Sequence, residues 1–374
     1  MKRRVRSMIN DADGAVIEQG DVAAGARNLL LRCVGAKPGE TLLIVFEASR
    51  LGIYGEGLAE ALSVTAQEMG LTVTTREVGF SKRARDWPPD LAEAMKGADH
   101  ALFLARLGDQ LRFCAIPSAM RPVISYALDA EMLGSEFGKT DYRAFQELKD
   151  AVDRMMGRAT DIRVTCPLGT DYRGALGRSD AAPIDTGVRR FPMSIFAPLP
   201  ASGFAGRVAV ARFLVGTGSH YYEPYALPLD GVIFAEFDGG VLHGFSGDAN
   251  GVSRARAHYE RVGELVGVDP FSVHSWHAGI HPGCAYPMAA AANYERWSCG
   301  AFGNPRILHF HTCGDYAPGE ICWNVIDATI VVDGVAVWEE GVLHADRIDG
   351  GADIMRRYPD AAALFRSPRR LIGI

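Results

Sequence analysis

Over the first 165 residues, short apolar runs alternate with longer stretches whose hydrophobic positions recur every three to four residues. Thr41-Leu-Leu-Ile-Val-Phe46 is apolar on consecutive positions, as a strand covered on both faces must be. Residues 55–70 carry the helical period, 71–78 and 100–105 repeat the strand signal, 121–128 repeats it again, and 141–156 is helical. Strands separated by helix-length crossovers pair in parallel, so this part is expected to be a doubly wound, mostly parallel α/β sheet. In such sheets ligands sit beyond the carboxyl ends of the strands. That rule points to Glu47 after the first strand, and to Arg106 and Asp109 after the third.

From about Cys166 the pattern changes. Glycine and proline become frequent, and the apolar runs shorten and turn β-branched, as at 206–215 and 230–237. Residues 328–337 predict a hairpin turning on Asp333-Gly334, a pair suited to the positive backbone angles of a tight turn. One helix is expected, over 253–266. The division expected is an N-terminal arm over 1–23, an α/β domain over 24–165 and a β-rich α+β domain over 166–374. No internal repeat or low-complexity segment is visible.

With 374 residues, 48% of them hydrophobic, the chain can bury a large core. A net charge of −6 opposes nucleic-acid binding through bulk electrostatics and favours a small-molecule partner. The basic start, Met1-Lys-Arg-Arg-Val-Arg-Ser-Met8, runs into polar residues where a signal peptide would turn apolar. No apolar run approaches the roughly 20 residues of a membrane span. Seven cysteines without a Cys-x-x-Cys pair fit reduced thiols, and a cytoplasmic location with no membrane partner is expected. Nucleotide-binding signatures are missing: no G-x-G-x-x-G follows the first strand, and there is no Walker loop. Gly244-Phe-Ser-Gly-Asp248 lacks the G-x-S-x-G pattern of a nucleophile elbow. Cys299, in Ser298-Cys-Gly-Ala-Phe-Gly303, matches no thiol-enzyme signature.

Histidine changes the picture most, since nine of the ten fall between residues 220 and 344. In Arg306-Ile-Leu-His-Phe-His-Thr-Cys-Gly-Asp315, His309 and His311 are two apart, the spacing at which a strand turns both rings to one face with Cα atoms roughly 6.5 to 7 Å apart. A second cluster, His274-Ser-Trp-His-Ala-Gly-Ile-His-Pro-Gly283, adds three more. Mononuclear iron, zinc or manganese sites need three protein ligands and open positions. His277, His281, Glu295, Asp315 and Glu320 are all candidates for the third. With a carboxylate the set would be the facial triad of oxygen-activating iron(II), and with a third histidine it would suit iron or zinc equally.

Three segments resemble a known family in order and spacing. Asn28-Leu-Leu-Leu-Arg-Cys-Val-Gly-Ala-Lys-Pro-Gly-Glu-Thr-Leu-Leu-Ile44 is similar to the opening of the M29 aminopeptidase-type proteins, whose group includes a 2,5-dihydroxypyridine 5,6-dioxygenase-like branch. Arg163-Val-Thr-Cys-Pro-Leu-Gly-Thr-Asp-Tyr172 is similar to their segment between domains, and Val331-Val-Asp-Gly-Val335 to their C-terminal part. The peptidases of this group carry two metals on a carboxylate-rich site. Here His277-Ala-Gly-Ile280 stands where a glutamate is expected, Cys299 where a histidine is, and His309-Phe-His311 in place of His-x-Asp; no Gly-Glu pair lies near Leu227-Pro-Leu-Asp-Gly231. A bimetallic peptidase holds its ions about 3.5 to 4 Å apart with bridging carboxylates. The substitutions leave ligands for one metal.

The resemblance implies a mononuclear iron(II) ring-cleaving dioxygenase, with His277, His309 and His311 as ligands and a hydroxylated pyridine or related small aromatic acid plus O₂ as substrates. His281 is the candidate base for a phenolic proton and Arg106 a candidate anion clamp. A homo-oligomer is implied as well. The alternatives are a zinc- or manganese-type hydrolase acting on an amide or ring, and a non-catalytic binding relative.

Overall fold

The computed structural model describes residues 9–10, 16–17, 19–81, 86–112, 114–117, 119–177, 187–217, 220–314 and 320–374. Asp315 therefore lies outside the described residues. The expected fold class is found: one parallel sheet with helices, followed by antiparallel β-structure.

The parallel sheet has five strands in the spatial order Thr72–Glu77, Thr41–Phe46, His100–Leu104, Val123–Ser125, Arg189–Phe191. Three of these agree closely with the apolar runs; the run at 121–128 shortens to three residues. The fifth strand comes from beyond residue 165. Helices Leu58–Glu68 and Tyr142–Arg158 occupy the spans whose periodicity predicts them. A further helix, Gln19–Arg27, begins within the span read as an arm. The strand order reverses between Thr41–Phe46 and His100–Leu104, which makes their carboxyl ends the topological switch point. Glu47 and Arg106 stand there.

Apart from a two-stranded antiparallel ribbon of Ile9–Asn10 and Val16–Ile17, the remaining strands form two antiparallel sheets. One has six strands, in the order Leu199–Pro200, Val273–Ala278, Ile307–Thr312, Ile321–Ile326, Phe213–Gly216, Ala226–Pro228, and the other has eight. The run expected as one strand over 206–215 is two, Phe204–Val210 and Phe213–Gly216, in different sheets. Arg212 between them adopts φ of 68°, and a left-handed residue cannot continue a strand. The Asp333-Gly334 turn forms as expected, with φ of 46° and 85° joining Thr329–Val332 to Val335–Glu339.

Alternation along the six-stranded sheet decides where the histidines go. Trp276, Phe310 and Trp323 point to one face and meet Tyr172, Phe204 and Phe237 of the eight-stranded sheet through edge and tilted ring contacts. Burying each such ring is worth roughly 1.5–3 kcal/mol. With that face committed to the core, His277, His309 and His311 must occupy the other. No helix among the described residues is long and apolar enough to cross a membrane.

Candidate metal centre

Two neighbouring strands supply the three imidazoles. His309 and His311 lie on Ile307–Thr312, and His277 pairs directly opposite His309 from Val273–Ala278. The same register sets Ser275 opposite His311, and it shifts only beyond that pair, between Ser275 and Val273. Beyond Ala278 the chain passes so close to Asn304 that a Cβ on Gly279 would lie 2.2 Å from the Asn304 carbonyl oxygen. Only glycine fits at that point of the His-Ala-Gly-Ile stretch.

The three rings converge through their Nε2 atoms, with His277 Nε2 at 2.7 Å from His309 Nε2 and 3.1 Å from His311 Nε2. All three residues are buried. Among the described residues these three alone form a group able to hold a metal ion, and no carboxylate joins them.

Their outer nitrogens differ. His277 Nδ1 lies 2.9 Å from the Phe196 carbonyl oxygen, to which it can only donate, so its Nε2 carries a lone pair turned toward the other rings. His311 Nδ1 lies 3.0 Å from Glu320 Oε1, within ion-pair distance but outside hydrogen-bond geometry. Among the described residues His309 Nδ1 has no hydrogen-bond partner, and its ring is stacked on Phe302 with centroids 4.0 Å apart. Burial, reinforced by the neighbouring histidines, drives the pKa values of His277 and His309 well below the ordinary range. Neutral rings with converging lone pairs are what a divalent ion requires. The donor set fits one metal.

Behind His311, Glu320 is linked to charged groups from the parallel-sheet half of the chain. Burial raises the Glu320 carboxyl, but His311 and the Arg112 guanidinium outweigh it and hold its pKa below the usual range. Arg112 bonds Asp109 at 2.9 Å and approaches Glu320 at 3.9 Å, while Tyr126 donates to Asp109 at 2.7 Å.

The other sequence candidates lie elsewhere in the fold. Arg106 is gripped by Glu47 at 3.1 Å and Glu295 at 2.8 Å, all three side chains being buried. Glu295 also accepts from the His220 backbone N–H at 2.9 Å. Arg106 is thereby a tie between carboxylates, its Nε and Nη1 donors engaged. His281 is fully buried, with Phe145 stacked on it at 3.6 Å and Phe137 edge-on at 4.8 Å; its Nδ1 accepts from the Gly283 N–H. Burial lowers its pKa to about 3. None of these contacts is to the triad. Cys299 is half-buried, and burial, with Glu295 nearby, pushes its thiol pKa well up, which opposes thiolate chemistry. Sequence reasoning passed over Asn324, directly opposite His309 on Ile321–Ile326. An amide amid the apolar Ile-Cys-Trp-Asn-Val-Ile run was the available signal.

No family model and no curated protein matches this sequence. Among solved structures, the chain is similar to 2,5-dihydroxypyridine dioxygenase from Pseudomonas putida, with a TM-score of 0.59 and 13% identity over 90% of this chain and 99% of that one. It is also similar to AmpT from Thermus thermophilus, with a TM-score of 0.50 and 10% identity over 86% of this chain and 98% of that one. At such identities the likeness is one of architecture. The fold is the M29-like one.

Proposed function

We propose that this protein is a metal-dependent enzyme in which His277, His309 and His311 hold a single divalent ion. We further propose that it is an iron(II) dioxygenase that opens a hydroxylated pyridine or related small aromatic ring with O₂. The observation carrying this reading is the convergence of three buried Nε2 atoms with no carboxylate among them. Three donors on one side of an ion leave the opposite positions for small molecules. The likeness to a dihydroxypyridine dioxygenase over nine-tenths of the chain supports the reaction class.

Iron(II) bound there would supply oxygen activation and Lewis acidity. The chain's own residues prepare the place. The Phe196 carbonyl fixes the His277 tautomer, Glu320 stands behind His311, and Phe302 covers the His309 ring and keeps water from it. Three neutral imidazoles are also the ligand set of zinc sites that activate water, so hydrolysis of an amide or ring is the second reading.

The test is oxygen uptake by protein loaded anaerobically with iron(II) and supplied with hydroxypyridines. Substrate-dependent uptake that His309→Ala abolishes is expected. Amide or ring hydrolysis by zinc-loaded protein, without uptake in the iron form, would replace the first reading with the second.

A further inference from the structure

Among the described residues, two polar groups near the centre have no protein partner, the buried Asn324 and the partly exposed Arg190. Neither amide atom of Asn324 finds a hydrogen-bond partner among the described residues, although the residue is only 4% exposed. A buried amide left unpaired forfeits its bonds to water without replacement, so such a group calls for a ligand. Asn324 pairs with His309 across the ladder, and directly opposed residues share a face. Its amide stands beside the triad.

The second group is Arg190, in the last parallel strand. Its neighbours turn toward the helices: Arg189 donates to the Cys33 carbonyl at 2.9 Å, and Phe191 stacks on Tyr142. Alternation turns Arg190 the other way, beside Ile124 of the adjoining strand. Its guanidinium has no hydrogen bond or ion pair among the described residues, and its charge bears on His277, His309 and Tyr126. The segment that follows reaches the chain just beyond the His277 strand, where the Ile280 N–H donates to the Ser194 carbonyl at 2.8 Å. Arg106 and Arg112 are committed to carboxylates; Arg190 is not.

Charge completes the case. Three neutral imidazoles leave the charge of a divalent ion uncompensated, and Glu320 already faces Arg112. A centre of that kind attracts an anion. Resting on the single-metal reading above, we propose that Arg190 and Asn324 are the substrate-recognition pair. The substrate carries an anionic oxygen group, a carboxylate or phenolate, that pairs with Arg190, and a hydrogen-bonding ring substituent that meets Asn324.

The experiment uses the full chain loaded with cobalt(II), whose visible spectrum reports ligand binding at the metal. It is titrated with two matched pairs, salicylate against salicylamide and picolinate against picolinamide. A charge-assisted hydrogen bond is worth about 1.5–3 kcal/mol, so the acid of at least one pair should bind at least about tenfold tighter than its amide. Arg190→Gln should bring that ratio to about twofold or less with cobalt content unchanged, and Arg190→Lys should retain most of it. Asn324→Leu should weaken both members of the pair alike. A tenfold preference that survives in Arg190→Gln would overturn the proposal, as would a wild-type protein that prefers no acid. Cobalt content separates the two claims: protein that takes up no cobalt refutes the metal centre itself, whereas a cobalt-bound protein indifferent to Arg190 refutes only the recognition pair.

Discussion

The three histidines have the same chemistry and different supports, and the difference makes them separable by mutation. Glu320 has no ligand role in the observed geometry and acts from behind His311. Glu320→Gln is therefore expected to weaken divalent-metal affinity by about 10–100-fold in a chelator competition, with the fold intact. Unchanged affinity would remove Glu320 from the site. His281, in its aromatic slot, makes a different prediction. Its folded pKa of about 3 lies far below the ordinary histidine value, so the unfolded chain takes up a proton that the folded chain refuses. Stability from this residue is complete above about pH 6.5 and declines as pH falls toward 3. Urea titrations at pH 7 and pH 5 should show His281→Phe losing less stability on acidification than wild type. An equal loss would mean that His281 is protonated in the folded protein. At this scale the sequence was informative where spacing alone sets direction: His309 and His311 share a face by alternation. It could not tell a ligand from the group behind it, because Glu320 reaches His311 only through pairing of the next strand.

Among the elements, helix Tyr294–Gly300 deserves its own test because it carries Glu295 to Arg106. Asn293 caps it by accepting from the Arg296 N–H at 2.9 Å, and its amide donates to the Gly52 carbonyl at 2.9 Å. Arg296 adds a hydrogen bond to the Ile53 carbonyl. Asn293→Ala is expected to cost about 1 kcal/mol or more in denaturant unfolding, since it removes a cap and a tertiary bond together. A change below about 0.3 kcal/mol would show that the cap carries no weight. The parallel strands were legible because burial on both faces writes an unbroken apolar run. The break at Arg212 was not, since a left-handed residue other than glycine leaves no mark in hydrophobic periodicity. Arg189–Phe191 was missed because three residues are too few to show a period.

For the molecule as a whole, the parallel sheet and the histidine-bearing sheet meet through charges buried at the switch point. Burial raises the Glu47 pKa despite Arg106 beside it, which marks the tie as costly to leave incomplete. Arg106→Gln strands two carboxylates and is expected to lower stability by about 3–5 kcal/mol, whereas adding Glu295→Gln to it should cost less than the sum of the separate changes. Strict additivity in a double-mutant cycle would contradict a shared network. Alternation of strands and helices made the α/β half legible, while the packing of one antiparallel sheet on the other depends on pairings across 30 or more residues that no local pattern records.

The central claim is that one ion sits among His277, His309 and His311. Elemental analysis of anaerobically purified protein, wild type beside His277→Ala, tests it most directly. About one divalent metal per chain in the wild type, and its loss in a folded His277→Ala protein, is the expected result; wild type without metal, or a variant that keeps it in full, would contradict the account.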